Sequence, residues 1–146
     1  MVLDSPEEQA YDDLTRFAAD LCDTPIALIS LIDAERQWFK SRVGLQVRET
    51  PREHAFCATA IQTPDQVTVV RDAMQDARFA GNPLVTGFPK IRFYAGAPLV
   101  TSDGQTLGTL CVIDHRPREL DATQIERLRF MADQVIAVLE QRPRKA

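Results

Sequence analysis

The sequence is poor in metal-ligating and redox side chains. Its three cysteines, Cys22, Cys57 and Cys111, stand far apart with no C-x-x-C pair, so it encodes neither a disulfide framework nor a cysteine zinc site. The two histidines, His54 and His115, have no ligating residues clustered around them, which leaves no strong metal signature. Basic charge is also short: 17 Lys and Arg against 21 Asp and Glu give a net charge of -4. No basic field exists to hold a nucleic-acid backbone or an anionic membrane, and we expect neither partner. The near-continuous apolar stretch Ile26 to Ile32, interrupted by Ser30, is far below the roughly 20 residues that cross a bilayer. The N-terminus has Asp4, Glu7 and Glu8 near Pro6 and lacks the basic flank and apolar run of a signal peptide, so the expected location is cytoplasmic. A serine elbow, a glycine-rich phosphate loop, an H-E-x-x-H motif and a recognisable acid pair are all missing, which points to a binder rather than an enzyme.

What is present is ordinary globular composition: 146 residues, 45% hydrophobic and 26% charged, enough for one core. The expected organisation is a single domain over 4–140 followed by a tail, 141–146. Ser5, Pro6 and Glu8 form a capping-box pattern that predicts a helix start, followed by an apolar stripe of Tyr11, Leu14, Phe17, Ala18 and Leu21. Ile26 to Ile32 suits a central strand covered on both faces. Arg36 to Val43 reads as its half-exposed hairpin partner, with Gln37, Phe39 and Ser41 on one side and Trp38, Lys40 and Arg42 on the other. Thr50, Pro51 and Glu53 repeat the capping logic and predict a short helix to about Ile61, followed by a brief strand at 67–70.

Residues 71–90 show no sustained periodicity and are punctuated by Gly81, Pro83, Gly87 and Pro89. Their apolar content predicts an ordered lid, with at most one helical turn. Ile91 to Val100 and Thr106 to Ile113 read as strands joined by an Asp103-Gly104 turn. Pro98 is expected at a bulge or beside a gap, and Gly96 and Gly108 at close approaches. Asp121 with Gln124 caps a last helix whose Ile125, Leu128, Ala132, Val135 and Leu139 form a heptad seam. That seam can pack on the sheet or pair with a second copy. The resulting order, helix, hairpin, short helix, strand, long loop, hairpin, helix, is α+β with an antiparallel sheet.

Several segments resemble the GAF domain family, small-molecule-binding sensory modules of bacterial signalling proteins. They are the stretches 25–33 (PIALISLID), 36–41 (RQWFKS), 56–58 (FCA), 76–85 (DARFAGNPLV), 91–99 (IRFYAGAPL) and 107–114 (LGTLCVID). The resemblance implies a PAS-like central antiparallel sheet of five to six strands. N- and C-terminal helices would lie on one face, with a ligand pocket under the short helix and long loop on the other. It further implies a homodimer through the terminal helices and an output partner such as a histidine kinase or a diguanylate cyclase. The chain reads either as a stand-alone module or as a piece of a larger signalling protein.

The expected pocket takes Trp38, Phe56, Phe79 and Tyr94 as walls, with Asp72, Asp76, Arg78, Asn82 and Arg92 as polar partners for an unidentified small molecule. The same loop residues can instead hold the lid together, with Arg78 paired to a carboxylate and Phe79 plugging the core. Cys57, in the first turns of a short helix, is the weak catalytic candidate, since a helix dipole lowers a thiol's pKa. Free methionine sulfoxide reductases are also GAF proteins that use pocket thiols, and this makes a thiol-dependent reductase the alternative function. A buried inert thiol is the other reading of Cys57. A third function is a dimerisation scaffold with a collapsed pocket. No cysteine is followed directly by histidine, which disfavours a bilin, and an isolated His54 or His115 is a poor basis for haem. The Asn-Lys-Phe-Asp-Glu set of cyclic-nucleotide-binding members is absent as well. No cofactor is expected.

Overall fold

The computed structural model describes residues 8–141. Helix α1 spans Gln9–Cys22 and strands β1 and β2 span Ile26–Ile32 and Arg36–Val43. Strand β3, Glu49–Pro51, leads through a 3-10 turn at Arg52–His54 into helix α2, Phe56–Ala60. Strand β4, Thr68–Val70, is followed by a second 3-10 turn, Ala73–Gln75, and helix α3, Pro83–Thr86. Strands β5, Phe93–Val100, and β6, Thr106–Asp114, precede helix α4, Ala122–Glu140. The architecture is α+β, built on one six-stranded antiparallel sheet in the order β3-β2-β1-β6-β5-β4.

The near-continuous apolar β1 lies centrally between β2 and β6, which explains why both its faces are apolar. On one face Ala27, Ile29, Leu31, Leu110 and Val112 meet Tyr11, Ala18 and Cys22 of α1 and Leu128, Ala132 and Val135 of α4. On the other, Ile26, Leu28, Cys111 and Ile113 face Phe56, Phe79 and Tyr94. The period-two alternation of β1 and β6 therefore sorts side chains into a helix face and a site face. The Asp121 and Gln124 capping box of α4 is formed in both directions, at 2.8 and 2.9 Å. Leu128, Ala132 and Val135 of the heptad seam are committed to the protein's own sheet. The 103–104 turn has Gly104 at φ 87, as an Asp-Gly hairpin demands. β4 begins opposite Gly96, so Pro98 lies beyond it with no described strand on that edge.

One expectation lies outside the described residues, and several others need correction. The predicted helix start at Ser5 and Pro6 lies outside the described residues; α1 is described from Gln9, and Glu8 makes no side-chain cap. Glu8 instead binds the Lys40 ammonium at 2.5 Å. Phe17 does not belong to the buried stripe and is 63% exposed. At about 100° per residue it sits roughly 130° round from the line of Tyr11, Thr15, Ala18 and Cys22, whose small residues let α1 approach the sheet closely.

β2 is buried on both faces rather than half-exposed, because α1 covers one side and the site the other. Its pairing slips by one residue at Lys40, between the Ile29–Ser41 and Ser30–Phe39 pairs. This bulge breaks the predicted alternation: Ser41 donates to Asp12 of α1 at 2.6 Å, whereas Gln37 and Phe39 face the site. Lastly, Thr50 caps no helix. Its segment is used in β3, and its hydroxyl accepts a hydrogen bond from Gln37 Nε2 at 2.8 Å.

Candidate functional site

A cavity of about 140 Å³ lies on the sheet face opposite α1 and α4. β1 and β6 supply its floor through Ile26, Leu28, Cys111 and Ile113, and Phe39, Phe56, Tyr94 and Ile91 form its walls. Its roof is made of Leu45 and Val47 from the loop after β2 and of Leu84, Phe88 and Pro89 from the lid. Among the described residues the polar side chains on its lining are Gln37 and Thr50, apart from the Cys111 thiol and the phenol of Tyr94, whose hydroxyl pairs with Thr109 at 3.2 Å.

The lid holds its shape through short-range polar contacts rather than regular structure. Asp72 accepts from Met74 N–H at 3.1 Å and caps the second 3-10 turn. Asn82 caps α3 by accepting from Leu84 N–H at 2.8 Å, and its amide donates to the carbonyl of His54 at 3.0 Å, tying the lid to the turn before α2. Arg92 donates to the carbonyls of Val85 and Ile91 at 2.9 and 3.1 Å. Each of these bonds satisfies a backbone group that an irregular segment would otherwise leave unpaired.

The ten candidate residues separate accordingly. Phe56 and Tyr94 line the cavity. Phe79 stacks on the far side of Phe56, with ring centroids 4.1 Å apart and planes 7° apart, and backs the wall without lining it. Trp38 does not line the cavity and lies on the helix face, because strand alternation puts it opposite Gln37 and Phe39. Asp72 and Asp76 line a separate open groove between the 71–77 segment and the start of α4. The Asp76 carboxylate takes two bonds from Arg78, at 3.0 and 2.8 Å, and this guanidinium holds its carboxyl below the usual range. Arg78 also lies over the Phe79 ring at 5.1 Å. Asn82 and Arg92 are occupied by the lid contacts above.

Cys57 is fully buried and does not line the cavity. Burial pushes its thiol up to about 12, outweighing the opposite pulls of a Ser30 hydrogen bond and the Arg52 charge. Desolvation therefore overrides the helix-dipole argument in this five-residue helix, and the thiol stays protonated at neutral pH. Burial raises Cys111 as well, and it raises Cys22 to about 11. We expect no alkylation of the folded protein by iodoacetamide at pH 8 within the time that labels all three cysteines in denaturant. Rapid modification of Cys57 in the folded state would contradict this.

Among the described residues no three His, Cys, Asp or Glu side chains converge as a metal-binding group. His54 and His115 do not line the cavity; the His115 ring contacts the carbonyl of Pro89 at 2.8 Å on the lid. No helix among the described residues is long and apolar enough to cross a membrane.

Residues that sequence reasoning missed include Phe39, Gln37, Thr50, Leu45, Val47, Leu84 and Phe88. Gln37 was within reach, since it shares a β2 face with Phe39. Thr50 was hidden by a proline that reads equally as a helix start or an edge-strand residue. The loop contributors carry no periodic signal.

The sequence model of the GAF domain family matches residues 6–139. A cyclic di-GMP phosphodiesterase of Pseudomonas aeruginosa is 46% identical over 129 residues, covering 86% of this chain. The chain spans only 22% of that relative's length. Among solved structures, the GAF domain of an Acinetobacter phosphoenolpyruvate-protein phosphotransferase superposes with a TM-score of 0.72 at 19% identity, covering 95% of this chain and 86% of that one. The blue-light absorbing form of the Thermosynechococcus elongatus PixJ GAF domain gives 0.72 at 16% identity, covering 90% and 83%. A type II free methionine-R-sulfoxide reductase from Thermoplasma acidophilum gives 0.71 at 10% identity, covering 90% of each chain. These structural likenesses share the fold and, at such identities, nothing finer.

Proposed function

The chain belongs to the GAF domain family, and from that premise we propose that it is a cytoplasmic regulatory module that binds a small, largely apolar molecule and passes the binding event to an output domain. The observation that supports this reading is the cavity itself: about 140 Å³, walled by apolar side chains and set on the opposite sheet face from the terminal helices. Its size is close to the roughly 150 Å³ of an apolar cavity known to admit benzene, so the ligand is a one-ring molecule rather than a nucleotide or a tetrapyrrole. Identity to a cyclic di-GMP phosphodiesterase over 22% of that relative's length supports a role as the input part of a cyclic-dinucleotide signalling protein. Regulation requires that the ligand favour one arrangement of α1 and α4 over another, since equal affinity for both shifts nothing.

Ethylbenzene is a suitable probe. We expect saturable one-site binding by calorimetry, and loss of binding in Leu84→Trp, which fills the cavity from the lid while leaving the sheet intact. No binding to the parent protein, or unchanged binding to the variant, would overturn the reading. A homodimer would have to use the outer helix faces, where Phe17 and Phe130 are 63% and 62% exposed. Light scattering that finds only monomer at high concentration would remove it. The reductase alternative draws support from likeness of fold alone, whereas the buried, protonated state of Cys57 favours the binder.

A further inference from the structure

We propose that the site selects one-ring ligands carrying a neutral hydrogen-bond acceptor, a ketone or lactone carbonyl, and that Thr50 and Gln37 read that group. This rests on the binding reading above and adds the chemistry of the recognised group. The starting point is a buried polar chain along the β1–β2–β3 edge of the cavity. Ser30 Oγ, fully buried, donates to Gln37 Oε1 at 2.8 Å, and Gln37 Nε2 donates to Thr50 Oγ1 at 2.8 Å.

Counting donors and acceptors along this chain fixes what it offers a ligand. A primary amide has two N–H donors, and Gln37 spends one of them on Thr50. A hydroxyl has one donor, and Thr50 uses its oxygen as an acceptor, so its own O–H remains to be given. Among the described residues neither remaining hydrogen has a protein acceptor. Ser30 holds the amide oxygen, so Gln37 presents its nitrogen end toward Thr50. Both residues line the cavity. Its polar corner therefore offers two donor hydrogens, while each of its oxygens already accepts one hydrogen bond.

The same corner excludes charged ligands. Among the described residues no Lys, Arg or His lines the cavity, so a carboxylate or phosphate would lose its hydration without a counter-charge. No described Asp or Glu lines it, so an amine or a quaternary ammonium would meet two donor hydrogens and no carboxylate to offset its lost hydration. A ligand O–H or N–H meets oxygens that each already accept one bond, and it would leave both donor hydrogens of the corner unpaired. An uncharged carbonyl on an apolar ring satisfies every group present: the ring fills the space among Phe39, Phe56 and Tyr94, and the oxygen takes one or both donors.

The test compares acetophenone, its hydrocarbon counterpart ethylbenzene, and benzoate against the parent protein and Thr50→Val. Valine keeps the branched shape suited to an edge strand and removes only the hydroxyl. Because the hydrocarbon differs from the ketone in hydration, the quantity read is the ratio of their dissociation constants and how the substitution changes it. Loss of the Thr50 donor should reduce the preference for acetophenone over ethylbenzene, read as that ratio, about three- to tenfold. In the parent, benzoate should bind more weakly than acetophenone. A second readout needs no variant: the infrared carbonyl band of bound acetophenone should lie below its position in alkane solvent, as for a hydrogen-bonded ketone.

A carbonyl band at the alkane position, a preference unchanged in Thr50→Val, or tighter binding of benzoate would overturn the assignment of Thr50 and Gln37. In each of those cases ethylbenzene binding would leave the pocket reading standing. Failure of both ethylbenzene and acetophenone to bind would overturn the two together. If Thr50→Val does not fold, Gln37→Met takes its place with the same ratio as readout.

Discussion

Gly108→Ala should destabilise the protein by about 3 kcal/mol or more, at or beyond the upper end of the usual cost of overpacking. The reason is local and severe. Gly108 sits in β6, between β1 and β5, and an added Cβ would lie 1.8 Å from the backbone carbonyl oxygen of Ser30. A backbone atom cannot rotate away as a flexible side chain can, so relief requires β1 and β6 to separate at the centre of the sheet. In a domain of this size the loss corresponds to a fall in melting temperature of roughly 6–12 °C. Gly81→Ala is the control, since nothing lies within 4 Å of the added methyl group, and it should leave the transition within about 1–2 °C. Calorimetric melts of the two variants decide the matter; equal behaviour would show that β1 and β6 are not paired as described.

The second large effect is Phe79→Ala, for which we expect a loss of about 3–5 kcal/mol, the usual range for truncating a buried aromatic. Phe79 is only 2% exposed and stacks on Phe56, which in turn lies 5.2 Å from Tyr94. Alanine removes a ring that the surrounding lid cannot replace, because that segment is anchored by Asn82, Asp72 and Arg92 at fixed points. Arg78→Ala, one residue away, removes a half-exposed ion pair and should cost less than about 1 kcal/mol. Urea melts of the pair distinguish a packed lid from a salt-bridged one: comparable losses would mean that the Asp76–Arg78 pair matters more than the aromatic stack.

Gly108 and Phe79 also mark how much of the molecule the sequence made legible. The close approach at Gly108 was visible because a glycine inside an apolar strand marks a bulge or a near backbone. The Asp103-Gly104 turn was visible because that dipeptide supplies the positive φ of a tight hairpin. β1, β5, β6 and α4 follow directly from periodicity and capping, as does the division of the sheet into two faces. Pairing register was harder to read. The bulge at Lys40 changes which face Ser41 occupies, and no local pattern announces a one-residue insertion between paired strands.

The site was only partly readable, for a related reason. Phe56 and Tyr94 belong to regular elements, and both stand in the wall where the pattern put them. Asp72, Asp76, Arg78 and Asn82 are polar residues in an irregular segment, where ligand contacts and loop-fastening contacts look alike in one dimension. In the structure their partners are backbone N–H groups, the carbonyl of His54 and one another. The roof residues Leu45, Val47, Leu84 and Phe88 come from loops whose meeting point depends on the completed fold.

The central claim is that a one-ring molecule enters the space beneath residues 84–89, on the face away from the terminal helices. Isoleucine methyl groups report on it directly, because Ile26, Ile91 and Ile113 line the cavity while Ile29 and Ile136 are packed on the helix face. In a methyl-labelled sample titrated with ethylbenzene, the resonances of Ile26, Ile91 and Ile113 should move most, through ring-current shifts that saturate together. Saturable shifts led by Ile29 or Ile136, with the three cavity methyls unmoved, would contradict the account.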